Sequence, residues 1–266
     1  MKHDTRYLLA VDVGNTHIEI GLFQKMEFIT SWRITTGVHR TEDEFLAYIA
    51  QLLSLKGIHL NQIIDVAISS VVPDVTQIFN RLSERYFHRS PLVVDHTLDL
   101  GIRIDYHPPS SVGADRLCNA VSGYERYGGP LIIVDFGTAT TFDVISKDGV
   151  YLGGAIAPGV ETTAWGLAER ASKLPRISLE YPEHVIGKST EESMKAGILL
   201  GSVKMVDGLL EEMIRQIDGE VTVIGTGGLA ALIAERSQFI RIVEPDLVLD
   251  GLVRIYFRNN GNRTSA

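Results

Sequence analysis

The chain is poor in the features that would place it outside an ordinary reducing, water-filled compartment. It has one cysteine, Cys118, in 266 residues, which excludes an internal disulfide and fits a reducing environment. Cys118 falls on the apolar face of an expected helix, where a buried thiol is the simpler reading than a nucleophile. Basic residues are in deficit: 25 Lys and Arg against 33 Asp and Glu leave a net charge of −8. No basic face is available for nucleic acid as the main partner. An anionic substrate must likewise be met by local cations or metal, because the overall field does not steer it inward. No stretch holds eighteen uncharged apolar residues, so no membrane partner is expected. The first apolar run, from Tyr7, is broken by Asp12 and Gly14 and does not read as a secretory signal. The expected location is cytoplasmic. No P-loop and no Ser/His/Asp order occurs, and the eight histidines show no metal spacing. His17 and His107 read as turn or edge residues.

What is present is an internal echo. Leu131–Ser146 (LIIVDFGTATTFDVIS) is a branched apolar run ending on Asp135, a glycine at 137, hydroxyl residues and a second apolar run. Leu8–Phe23 (LLAVDVGNTHIEIGLF) repeats the plan with Asp12 and Gly14. A strand that ends on a carboxylate and turns at glycine can bring backbone N–H groups close to phosphate and set the acid against a cation. One such hairpin is also an ordinary turn signal. Two, aligned from Leu8/Leu131 to Gly14/Gly137, point to two similar halves facing a shared cleft.

The coarse pattern agrees. Strands are expected at Tyr7–Val13, His17–Phe23 and Phe28–Thr35, then a helix opened by a Thr41/Glu44 capping box. A strand at Ile63–Ser69, a helix from Pro73 carrying Val75, Ile78, Phe79, Leu82 and Tyr86, and strands at Pro91–Val94 and Ile102–Tyr106 come next. A helix over Gly113–Tyr127 bridges to a second three-strand run at Leu131–Asp135, Thr140–Ser146 and Val150–Ile156. Further on come a helix from Gly159, an irregular stretch over Arg176–Ile186, and a long helix capped by Ser189 and reaching about Ile217. A strand at Val221–Ile224, the Gly225–Gly228 loop, a helix over Leu229–Ser237, a strand at Ile240–Val243 and a helix over Leu247–Phe257 complete it. Asn259–Ala266 is expected to fray.

The duplicated D-x-G hairpins resemble those of the acetate and sugar kinase, Hsp70 and actin superfamily. Within it, DVGNTH at Asp12–His17, VGADR at Val112–Arg116, DFGTATT at Asp135–Thr141 and GGAIAPG at Gly153–Gly159 resemble type III pantothenate kinases. GKSTEES at Gly187–Ser193, GTGG at Gly225–Gly228 and EPDLVLDGL at Glu244–Leu252 continue in the family's order. Ser111 departs from the glutamate that usually precedes VGADR. The resemblance implies an α/β, duplicated ribonuclease H-like (actin-like ATPase) fold, with two domains flanking a nucleotide cleft. The expected domains are residues 1–118 and 119–266, with the C-terminal helix free to pack back on the first. The implied activity is ATP-dependent phosphorylation of the primary hydroxyl of pantothenate, the first step of coenzyme A biosynthesis. The alternatives are a non-catalytic regulatory relative of the same fold, or a kinase for another small hydroxy or carboxylate substrate.

On the residues themselves, phosphoryl transfer needs positioning and charge neutralisation more than covalent work. Asp12, Val13, Gly14, Asn15, Thr16, His17, Ile18 and Glu19 form the expected ATP hairpin, with Asp12 as the Mg²⁺ ligand. The resemblance adds Thr138 as an ATP contact and Asp135 as the site of a monovalent cation, K⁺ or NH₄⁺; side-chain chemistry alone permits Mg²⁺ at Asp135 equally. Asp115 stands in the first turn of its helix, where complementing the helix dipole would explain it. The resemblance makes it the proton acceptor from pantothenate. Gly113, Ala114, Asp115 and Arg116 then form the substrate segment, with Arg116 meeting either the pantothenate carboxylate or the moving phosphoryl group. An exposed salt bridge is the plain alternative for Arg116, as a strand aromatic is for Tyr106 and a helix cap for Thr190. The resemblance makes Tyr106 and Thr190 substrate contacts, with Thr190 reaching the neighbouring site of a homodimer. The apolar set Met194, Ile198, Leu199, Met205 and Val206 suits an interface or a core alike.

Overall fold

The computed structural model describes residues 6–260. The chain divides into two compact units, one within Met1–Ser122 and Leu247–Ala266, the other within Gly123–Asp246. The first opens with β1 (Tyr7–Val13), β2 (His17–Gln24) and β3 (Glu27–Thr35), an antiparallel meander. α1 (Glu42–Ser54) starts at Thr41, whose side chain and Glu44 satisfy each other's backbone N–H groups as a capping box. β4 (Ile63–Ser70) then lies parallel to β1. α2 (Pro73–Leu82) begins with proline in its first turn, where the missing N–H costs nothing. It gives way to a π-helical turn over Ser83–Phe87, so Tyr86 sits beyond the α-helix and hydrogen-bonds Asp43. β5 (Leu92–Val93) closes a sheet of order β3-β2-β1-β4-β5. Alternate residues Leu9, Val11, Val13, Ile18, Ile20 and Leu22 meet Phe45, Ile49 and Leu53 of α1 and Val75, Phe79 and Leu82 of α2 in one core. The expected strand at Ile102–Tyr106 contracts to β6 (Arg103–Ile104), which leaves Tyr106 on a loop. α3 (Ala114–Tyr127) comes after it.

The second unit repeats the plan. β7 (Leu131–Phe136), β8 (Ala139–Ile145) and β9 (Val150–Pro158) form its meander. α4 (Val160–Arg170), α5 (Thr190–Lys195), a π-helical turn at Ala196–Leu200 and α6 (Gly201–Ile214) come next. The expected single long helix is therefore one helical run with a π turn inside it. β10 (Thr222–Thr226), α7 (Ala230–Ala234) and β11 (Ile242–Val243) complete the unit. Its strands run β9-β8-β7-β10-β11, the same order as β3-β2-β1-β4-β5. In each sheet the fourth strand joins the first in parallel and carries a hydroxyl residue opposite the acid: Ser69 opposite Asp12, Thr226 opposite Asp135.

α8 (Leu247–Asn260) returns to the first unit. Three adjacent strands present a row of small residues, Gly21, Ala10 and Ala67, on the sheet face opposite the α1/α2 core. A side chain on Gly21 would come within 2.9 Å of Leu249 of α8, so the row is what lets the helix lie close. Tyr256 donates a buried hydrogen bond to Asp65 on this face (2.7 Å). Gly251 lies so close to α3 that an added Cβ would stand 1.9 Å from the Cys118 carbonyl oxygen. The expected fraying from Asn259 is corrected. Asn259 is helical, and its amide donates to the Asp99 carbonyl (2.9 Å) and accepts from the Asp99 N–H (3.1 Å). Residues 261–266 lie outside the described residues.

Candidate active site

In the first unit the β1–β2 turn is Gly14-Asn15-Thr16. It is closed by Gly14 N–H donating to the His17 carbonyl (3.0 Å). The end of β3 ties it down: the Thr36 hydroxyl donates to the Gly14 carbonyl (2.6 Å) and the Thr36 N–H to the Thr16 carbonyl (2.9 Å). Asn15 and His17 are exposed, while Val13 and Ile18 have fully buried side chains. Only the backbone of those two remains for a ligand. Asp12 pairs directly with Glu19 across the β1–β2 ladder, which sets two carboxylates on one sheet face. Like charges so placed repel unless a cation lies near. The Arg33 guanidinium approaches Glu19 at 3.8 Å. Among the described residues no group of three His, Cys, Asp or Glu could by itself hold a metal ion. A Mg²⁺ that arrives with phosphate and water ligands needs only one or two carboxylates, so Asp12 with its neighbour fits that ion.

α3 supplies the other half of this face. Asp115 is half-buried at the helix start, and its Oδ1 accepts the Arg116 N–H (2.8 Å). A Cβ on Gly113 would stand 2.5 Å from that same oxygen, so the glycine keeps the place the carboxylate occupies. Burial pushes the Asp115 carboxyl above its usual range; the Arg116 N–H and guanidinium draw it part of the way back. Arg116 is only 8% exposed, which overturns the plain expectation of an exposed salt bridge. One turn on, Cys118 is fully buried, and its thiol is pushed up by burial and by the charges of Asp12 and Asp115. The two acids thus flank one thiol. Tyr106 is half-buried on the loop after β6.

The β7–β8 turn of the second unit is one residue shorter, Gly137-Thr138, closed by Gly137 N–H to the Ala139 carbonyl (3.1 Å). Gly159, at the N-cap of α4, backs it: an added Cβ would sit 2.4 Å from the Gly137 carbonyl oxygen and 2.5 Å from that of Thr138. Gly159 N–H and the Thr162 hydroxyl both donate to the Thr138 carbonyl (3.2 and 2.7 Å). Thr138 itself is exposed. Asp135 is half-buried beneath the Gly225–Gly228 loop, where Gly227 adopts φ +87° and a Cβ would lie 2.5 Å from the Asp135 Oδ1. Thr190 is the first residue of α5, and Ser189 is the cap, its hydroxyl accepting the Glu192 N–H (3.2 Å). The capping explanation of Thr190 therefore fails. Thr190 instead lines an apolar cavity of about 520 Å³ between α4 and the α5–α6 run, together with Leu167, Met194, Ile198 and Met205. Of the expected apolar set, Met194, Ile198, Leu199 and Val206 belong to the unit's core, with Met205 packed against it.

Each acid thus ends a first strand, turns at glycine and faces a hydroxyl residue on the fourth strand. Comparison with known proteins places this arrangement. The family model for type III pantothenate kinase matches residues 8–212. The chain belongs to the type III pantothenate kinase family. It is 46% identical to the type III pantothenate kinase of Bacillus cytotoxicus, over 95% of this chain and 96% of that one. Identity to the type III pantothenate kinase of Syntrophotalea carbinolica is also 46%, over 96% and 100%. By structure it is similar to a ROK family glucokinase from Streptomyces griseus (TM-score 0.52, 11% identity, 94% and 97% coverage). It is also similar to a Campylobacter jejuni protein described as of the Baf family of transcriptional activators (TM-score 0.58, 18% identity, 96% and 99%). These likenesses show the fold alone, a duplicated ribonuclease H-like α/β architecture shared with sugar kinases. Membership in the type III family also accounts for VGADR and GGAIAPG, whose glycines hold Asp115 and the β7–β8 turn respectively. Among the described residues no helix is long and apolar enough to cross a membrane.

Ser69 is the residue that sequence reasoning passed over. Its signal was available: it lies at the end of the fourth strand of the first half as Thr226 does in the second.

Proposed function

We propose that this chain transfers the γ-phosphoryl group of ATP to the primary hydroxyl of pantothenate, opening coenzyme A biosynthesis. The observation that carries the reading is Asp115, half-buried at the start of α3 beside Asp12. In this reading the 12–19 hairpin holds ATP through backbone N–H groups around Gly14 and Asn15, with Thr138 contributing from the second unit. Asp12, with Glu19 at its side, would hold the divalent cation; when bound, that ion neutralises phosphate charge. Asp115 receives the pantothenate hydroxyl and accepts its proton as the bond to phosphorus forms. Its elevated affinity for protons suits an acceptor at near-neutral pH. Because phosphoryl transfer runs through a loose transition state, much of the gain comes from orienting the alcohol. Arg116, held in the same turn, meets the pantothenate carboxylate or the moving phosphoryl group. Gly113 and Ala114 shape this segment, and Tyr106 lines it.

The remaining assignments belong to the same reading. Asp135 takes a monovalent cation, K⁺ or NH₄⁺; the close approach of the Gly227 backbone supports a site built from that carboxylate and main-chain oxygens. A homodimer places Thr190 against the neighbouring subunit's substrate, which is supported by its position on the rim of an apolar cavity beside exposed Trp165 and Leu167. The domain change falls inside α3, with α8 assigned to the first domain, and the location is cytoplasmic. The test is ADP release with pantothenate against a panel of sugars and acetate. Turnover with pantothenate alone is expected, and turnover with a sugar or acetate instead favours a kinase for another substrate.

A further inference from the structure

Below the two acids of the first unit lies a group that the proposed reaction does not use. Ser69, near the end of β4, is fully buried and faces Asp12 in the parallel β1–β4 register. Its hydroxyl donates to Asp12 Oδ1 at 2.7 Å. The Cys118 thiol, buried one turn into α3, lies within hydrogen-bonding reach of the same hydroxyl. A thiol is a weak donor and a hydroxyl both donates and accepts, so the three groups can form one directed chain from Cys118 through Ser69 to Asp12.

We infer that Ser69 is a positioning residue that fixes the plane of the Asp12 carboxylate for the divalent cation, with Cys118 fixing the Ser69 rotor in turn. The inference rests on the reading of Asp12 as the ion's ligand. A carboxylate at a strand end turns about its Cβ–Cγ bond; a charge-assisted hydrogen bond to one oxygen removes that freedom before the ion arrives. A buried hydroxyl costs free energy unless it is paired. Asp12 is therefore as necessary to Ser69 as Ser69 is to Asp12. The chain also ties β1 to α3, so that Asp12 and the helix bearing Asp115 are held through one hydroxyl.

The experiment titrates Mn²⁺ into the protein with ATP present, following the free ion by its paramagnetic resonance signal. It compares the native chain with Ser69→Ala, Ser69→Cys and Asp12→Asn. Unfolding midpoints without ion or nucleotide report any damage to the fold. Removing an outer group of this kind weakens metal binding about 10–100-fold, and that is the loss expected for Ser69→Ala. Ser69→Cys retains a weaker donor and is expected to fall between Ser69→Ala and the native chain. In steady state the Ser69→Ala loss should appear in the divalent-ion requirement and kcat, with KM for pantothenate unchanged. Should Ser69→Ala not fold, Ser69→Cys decides by the same titration. Native Mn²⁺ affinity in the Ser69 variants, with weakened binding in Asp12→Asn, overturns the positioning role and leaves Asp12 as ligand. Native affinity in Asp12→Asn overturns the reading of Asp12, and the Ser69 role with it.

Discussion

The two units share a skeleton and part company just beyond the fourth strand. In the first, β4 runs on into Ser70, whose hydroxyl accepts the Val72 N–H (3.1 Å) and the Thr76 hydroxyl (2.6 Å) at the start of α2. The chain is pinned away from Asp12, which is met by a buried side-chain hydroxyl. In the second, β10 runs into Gly227 and Gly228, and the backbone itself comes down on Asp135. One acid is thus aimed by a side chain and the other is walled by main chain. A carboxylate with a fixed plane and a like-charged neighbour suits a divalent ion accompanied by phosphate. One surrounded by backbone suits a larger monovalent ion that takes carbonyl oxygens. Duplication supplied the frame, and the residues after the fourth strand divided the roles.

The largest effect expected is confined to the first unit. Asp115→Asn should lower kcat by about 10²–10⁴-fold, measured by ADP release. Its effect on stability has the opposite sign. A carboxyl whose folded affinity for protons is raised is disfavoured by folding once ionised, so stability falls as pH rises from the ordinary carboxyl range through the raised one. Activity should rise over the same window. Asp115→Asn should remove that fall in stability, and a thermal unfolding series across pH checks it.

Asp12→Asn and Asp135→Asn sharpen the comparison next. Each is expected to weaken its own ion by about 10–100-fold: the divalent requirement for Asp12, the dependence on K⁺ over Na⁺ for Asp135. Identical ion profiles for the two variants would break the division of roles. Gly251→Ala tests whether α8 holds α3 in place. Its Cβ would press on the Cys118 carbonyl, and overpacking of this kind costs about 1–3 kcal/mol, readable by denaturant unfolding. The smallest effect is a paired one. Gly227→Ala combines a left-handed φ with crowding of Asp135, while Gly14→Ala meets only the His17 carbonyl at 3.1 Å. The former should cost about 1–2 kcal/mol more and alone shift the K⁺ dependence.

Much of this was legible from pattern because the strands alternate cleanly and their ends carry turn chemistry. The Thr41/Glu44 capping box, Pro73 at a helix start and the echo of Leu8–Phe23 in Leu131–Ser146 each name their structure from a few adjacent residues. What was not legible depends on residues distant in sequence. Asn259 reads as tail until Asp99, 160 residues away, supplies partners for it. Ser69 reads as a strand end until register sets it opposite Asp12. Arg116 reads as a surface cation because nothing local announces that its turn is buried. Gly251 looks like a weak point in a helix; only the approach of α3 explains it. The Met194–Val206 stripe was ambiguous for a related reason, since a helix's apolar periodicity says that one face is covered and not by what.

The most direct test of the central claim is a single-turnover measurement of phosphoryl transfer from ATP to pantothenate, with nucleotide affinity measured on the same protein. The native chain should form phosphopantothenate, and Asp115→Asn should bind ATP with unchanged affinity, stay folded and form almost none. Near-native transfer by Asp115→Asn would contradict the account.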